Sequence, residues 1–145
     1  MKTLTTLILA GLCLAGPYSL AAGERGREVA LASYDRLGLI AATGFPLQID
    51  FLTAQGWQTY GELELGFGLG DTLALGVDVS AGLLFGLAQG LSGYASLGPA
   101  LSLGADPRFG LGVEIGLNID VNQRALFIEA GRHPAATYLA VGIRF

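Results

Sequence analysis

Cysteine, methionine, histidine and tryptophan occur once each in the 145 residues, and Lys2 is the sole lysine. A lone Cys13 forms no internal disulfide, and with one histidine no transition-metal set of His and Cys is complete. Charged residues make up only 14%, eight basic against twelve acidic, for a net charge of −4. That balance lacks the basic footprint of a nucleic-acid partner. Beyond the first 21 residues the chain has no uninterrupted apolar run of 18, so no membrane helix is expected there. Yet the mean hydropathy is +0.55, and glycine is abundant, at 23 residues. High hydropathy without a helical span is what alternating membrane strands produce.

The first residues read as a targeting segment. Lys2 supplies a positive start, Leu4 to Ala15 a short apolar core, and Pro17 a break. Ser19-Leu20-Ala21 then offers small residues at a cleavage site. Cutting after Ala21 is expected, with Ala22 the near alternative. The apolar core is shorter than the ~20 residues a spanning helix needs. Leu12 before Cys13 is too bulky for lipoprotein processing. The expected organisation is a cleaved signal at 1–21, an N-terminal segment at 22–35 and one β-domain at 36–145. The segment at 22–35 could be the start of a first strand, a helical plug or a tail. Removing 21 of the 145 residues leaves one domain's length of chain, in which Arg is the only basic residue besides His133.

Alternation with period two recurs along that domain. The expected runs are Arg36 to Thr43, Leu47 to Thr53, Trp57 to Leu69, Thr72 to Phe85, Gly93 to Gly104, Phe109 to Val121, Arg124 to Gly131 and Thr137 to Phe145. The sixth is the clearest. Phe109, Leu111, Val113, Ile115, Leu117, Ile119 and Val121 share one face, opposite Gly110, Gly112, Glu114, Gly116, Asn118 and Asp120. At ~9–11 residues per membrane strand, eight strands fit the available length and ten would leave almost nothing for turns. Pro99 falls inside a run and predicts a bulge.

The last nine residues carry the most specific pattern. Thr137, Leu139, Val141, Ile143 and Phe145 share one face, and Tyr138, Ala140, Gly142 and Arg144 the other. This strand resembles the closing strand of small bacterial outer-membrane β-barrels, the eight-stranded OmpA/OmpX-like class. The resemblance implies an all-β fold, a closed antiparallel up-and-down transmembrane barrel of eight strands. It also implies an assembly signal in Leu139, Val141, Ile143 and Phe145. With the N-terminus on the periplasmic side, Phe51, Trp57, Phe85 and Phe145 would lie near one membrane interface. Phe67 and Phe109 would lie near the other, as aromatic girdles require. A soluble sandwich would instead cover its apolar face with a second sheet.

Chemistry is sparse. Gly66 to Gly70 and Gly110 to Gly112 superficially look like phosphate loops but lie inside strands with no following helix. Small outer-membrane lipid A deacylases share the barrel class and place a serine two residues after a histidine. Here that position, after His133-Pro134, is Ala135, so no catalytic set is expected, and His133 reads as an exposed turn residue. No cofactor and no metal site are assigned. The expected lumen polar network is Arg36, Asp50, Tyr60, Glu62, Glu64, Asp78, Tyr94, Glu114, Asp120, Glu129, Tyr138 and Arg144. Charges buried in so narrow a barrel need partners.

The functional expectation is a non-enzymatic outer-membrane barrel with a structural or envelope role. A narrow cation-preferring channel or ion-binding barrel is the alternative, and a lipid A-modifying enzyme a distant third. Expected partners are outer-membrane lipid and lipopolysaccharide, the barrel-assembly machinery and periplasmic chaperones, with no nucleic acid. Export would follow the signal peptide in a Gram-negative cell.

Overall fold

The computed structural model describes residues 25–33, 37–70, 73–104, 106–122, 124–134 and 136–145. Ala21, Ala22 and Arg36 lie outside the described residues. Eight strands follow in chain order: β1 Arg27–Ala32, β2 Leu37–Pro46, β3 Gln58–Leu69, β4 Leu73–Ala88, β5 Leu91–Leu103, β6 Arg108–Val121, β7 Arg124–His133 and β8 Ala136–Arg144. Each pairs antiparallel with its sequence neighbour, and β8 returns to β1 to close the barrel. Closure leaves no edge strand. The seam runs from Glu28↔Arg144 to Ala32↔Ala140. Mutual backbone bonds of 2.9 Å between Arg27 and Phe145 extend it by one residue on each side.

The count of eight agrees with the sequence, but the membership differs. Leu47 to Thr53 is not a strand. Pro46 closes β2, and the chain then forms a single helical turn, α1 Asp50–Thr53. Backbone bonds from Leu52, Thr53 and Ala54 to Ile49 and Asp50 hold that turn. An apolar run this short fits either periodicity, and here local helical bonds win. The missing strand is β1. It lies in the segment 22–35, where Glu28, Ala30 and Ala32 alternate with Arg27, Val29 and Leu31.

Pro99 also behaves differently from expectation. It faces outward and keeps its place opposite Leu111 of β6. On the other side, pairing with β4 lapses between Asp78↔Ala100 and Ala81↔Leu97 without changing register. The missing proline N–H costs local ladder bonds rather than an extra residue. The irregularity in this strand pair sits elsewhere, between Gly86 and Ala88 beside the β4–β5 turn.

The inside and outside of the barrel are inverted relative to a soluble protein. Along β6 the outward Phe109, Leu111 and Ile115 are 77%, 62% and 61% exposed. Buried positions instead include Glu62, Glu64, Glu114, Glu129 and Arg144. Exposed side chains this apolar over every strand need lipid, not water, as solvent. Phe51, Trp57, Phe85 and Phe145 lie at the end holding α1, the start of β1 and the finish of β8, while Phe67 and Phe109 lie toward the opposite end.

Glycine makes the narrow interior possible by giving aromatic rings a flat place to lie. Tyr60, Tyr94 and Tyr138 each cover their direct cross-strand partner, Gly82, Gly116 and Gly131. A Cβ on those three glycines would meet the ring at 2.1, 2.3 and 2.3 Å. Phe127 covers Gly142 inside in the same way, and Phe45 and Phe85 cover Gly61 and Gly93. Such ring-over-glycine pairs fix strand register.

Gly98 is tighter still, because a Cβ there would lie 1.9 Å from the Val79 carbonyl oxygen, a backbone atom. Gly98→Ala should therefore destabilise the barrel by roughly 1–3 kcal/mol. Gly86→Ala, with nothing within 4 Å, should be nearly silent. Urea unfolding in detergent micelles checks both, and equal stability of the two variants would contradict the close approach of β4 and β5.

Candidate functional site

The barrel's interior is its only concentration of polar chemistry among the described residues. Strand alternation carries Glu62 and Glu64 of β3, Asp78 of β4, Tyr94 of β5, Glu114 of β6, Glu129 of β7, and Tyr138 and Arg144 of β8 to the inside. All are buried, as is Tyr60. Two of the expected lumen residues are elsewhere. Asp50 is exposed on α1, because its segment leaves the sheet. Asp120 is exposed at the end of β6, beyond the depth at which neighbouring strands cover it.

Other contributors lie outside the expected polar network, although the alternation of β6 already put Asn118 on the inward face. Glu28 comes in on β1 and Asn118 on β6. Arg25 precedes β1 and is turned inward at Gly26, whose φ of +72° suits glycine. Its Cβ sits 2.9 Å from where a Gly44 Cβ would be, so the missing side chain of Gly44 makes its room. His133 is buried as the last residue of β7, not exposed in a turn. The inward row Phe127, Glu129, Gly131, His133 simply continues to the end of the strand. Period two in Arg27 to Ala32 and in Arg124 to His133 was the available signal for Glu28 and His133.

The polar groups separate into two zones. In the first, toward the end where β1 starts and β8 finishes, Arg25 donates from Nη1 to Tyr60 and to Glu62 Oε1 at 3.0 Å. Its Nη2 lies 3.6 Å from Glu28 Oε2. Arg144 donates from Nε to the same Glu28 oxygen at 2.9 Å, and also reaches Glu28 through Nη2 and Asn118 Oδ1 through Nη1. Asn118 passes the chain on to Ser92 Oγ at 3.2 Å. Both guanidiniums lie over rings, Arg25 at 3.8 Å from the Tyr94 centroid and Arg144 at 4.7 Å from that of Phe127.

The second zone is built from carboxylates and hydroxyls. Tyr138 donates to Glu114 Oε1 at 3.0 Å and lies 3.4 Å from Glu64 Oε1. Ser96 donates to Glu114 Oε2 at 2.8 Å, and Tyr94 to Glu129 Oε2 at 2.6 Å. Six buried carboxylates thus face two buried guanidiniums among the described residues. The lumen as a whole is strongly acidic.

No protein-family model matches the sequence, and no curated protein matches it. Solved structures do. A de novo designed transmembrane β-barrel superposes with a TM-score of 0.61 at 14% identity, covering 88% of this chain and 98% of that one. The N-terminal β-barrel domain of Pseudomonas aeruginosa OprF superposes at 0.53 with 15% identity, covering 81% of this chain and 90% of that one. At such identities the likeness is one of fold, and no residue role passes across. The architecture is that of the small eight-stranded transmembrane barrels whose closing strand the C-terminal pattern resembles.

Proposed function

We propose that the protein is an integral barrel of a Gram-negative outer membrane with a non-enzymatic, structural role in the envelope. One observation carries this reading: the interior is occupied by its own side chains, bonded strand to strand. Such a lumen braces the barrel and leaves little room for a substrate. The connections support it. At the end opposite the start of β1 they span only 33–36, 70–72, 104–107 and 134–135, too short to build an adhesive surface. Lipid and lipopolysaccharide would cover the outward face. Export by the signal at 1–21, with periplasmic chaperones and the barrel-assembly machinery reading Leu139, Val141, Ile143 and Phe145, completes the proposal.

The test combines a gel with a bilayer. Purified protein in detergent should migrate differently before and after boiling, because a closed barrel has no edge from which to unravel. In planar bilayers it should show at most small, infrequent openings. Large, steady, non-selective conductance would replace the structural role with that of a porin. A changed lipid A mass profile in cells lacking the protein would instead favour an enzyme.

A further inference from the structure

We infer that the lumen holds a calcium-sized divalent cation between Glu64, Asp78 and Glu114. One carboxylate oxygen from each of these residues lies within 4.8 Å of the other two. Two oxygens bound to one calcium ion at ~2.4 Å each lie no farther apart than that. The fold builds the triad from three strands. Glu64 and Asp78 are direct cross-strand partners on β3 and β4. Glu114 comes from β6, two strands from β4, and Asp78 leans toward that strand over Gly112. A Cβ on Gly112 would sit 3.6 Å from Asp78 Oδ2.

A cluster of acids does not by itself point to a ligand; Ser80 does. Its hydroxyl is buried, with the residue 6% exposed, and has no hydrogen-bond partner. Ser80 is the next inward residue after Asp78 on β4 and the cross-strand partner of Glu62. It therefore stands in the same inward row as Asp78, one inward position along β4. Asp78 Oδ1 and Glu64 Oε2 are likewise buried without partners. A serine beside carboxylates ordinarily donates to one of them, as Ser96 does to Glu114. Deeply buried carboxylate oxygens left open on Asp78 and Glu64, with an open hydroxyl one inward position along β4, match a shell of donors around a positive centre.

The charges favour this triad over its neighbour. Glu28, Glu64 and Glu129 form a second close group, but Glu28 already faces Arg25 and Arg144. No guanidinium reaches Glu64, Asp78 or Glu114 in any hydrogen bond or ion pair described above. All the donors are oxygen, which selects hard cations over zinc or copper. Burial suits calcium better than magnesium, which dehydrates reluctantly and usually keeps several waters. The site goes beyond the structural role and does not depend on it.

Metal content and luminescence test it. Protein refolded in detergent with Ca²⁺ and then desalted should retain one calcium per barrel by elemental mass spectrometry. Tb³⁺ in its place should luminesce on tyrosine excitation, because the Tyr138 hydroxyl bonds to the triad. Asp78→Asn should weaken binding by at least about tenfold, the loss that even a positioning group brings. Asp50→Asn, on exposed α1, should leave it unchanged. Should Asp78→Asn fail to give a heat-modifiable barrel, Glu114→Gln serves in its place, and the wild-type stoichiometry decides if neither folds. Absence of bound calcium in the wild type overturns the inference. So does undiminished binding in the folded triad variants.

Discussion

Arg144→Ala should cost about 3–5 kcal/mol of stability, the scale of breaking a buried ion pair from one side. Arg144 and Glu28 are register partners across the β1–β8 seam, and both side chains are buried. Removal of the guanidinium strips Glu28 Oε2 of its 2.9 Å bond from Nε and leaves only the longer contact to Arg25, at 3.6 Å. It also exposes the Phe127 and Tyr94 rings to a cavity. The seam is poorly placed to absorb that loss, since β1 is only six residues long. A neutral double variant, Glu28→Gln with Arg144→Met, should recover most of the stability, because no charge is then left buried alone. Urea unfolding in micelles, followed by Trp57 fluorescence, gives all three numbers. A loss under about 1 kcal/mol for Arg144→Ala would mean that backbone bonding alone closes the barrel.

The same seam shows what the sequence made legible and what it did not. Arg144 was readable as a lumen residue because the nine residues of β8 alternate without interruption. Its partner Glu28 was missed although Arg27 to Ala32 alternates, because that run is only six residues long. Arg25 lies outside any strand and enters the lumen through a glycine turn, which no periodicity records. Asp50 failed for the opposite reason: Leu47, Ile49 and Phe51 do alternate, but Pro46 ends the sheet before them, and local helical bonds take over. Long runs such as β6 fix face and depth together. Near the rims, where Asp120 and His133 sit, alternation still gives the face. Whether the residue is covered depends on the stagger of neighbouring strands, which one strand's pattern does not contain.

The outward face gives the other large effect. Ile115 sits near the middle of β6, 61% exposed, between Ala95 and Ala130 on the flanking strands. If lipid surrounds it, Ile115→Arg places a charge close to the bilayer midplane and should cost about 2–4 kcal/mol. Val121→Arg, on the same face at the end of β6, should cost ~0–1 kcal/mol, because the charge reaches the interface. Unfolding of both variants in lipid vesicles separates a membrane face from an ordinary surface, where the two would cost alike. Gly116, the next residue, serves as the control for orientation. Its side chain would enter the Tyr94 ring, 2.3 Å from Cζ, so Gly116→Leu should damage the barrel in vesicles and in micelles equally. Ile115→Arg should be milder in micelles, which deform around a charge more readily than a bilayer. A harmless Ile115→Arg together with a stabilising Gly116→Leu would turn the barrel inside out.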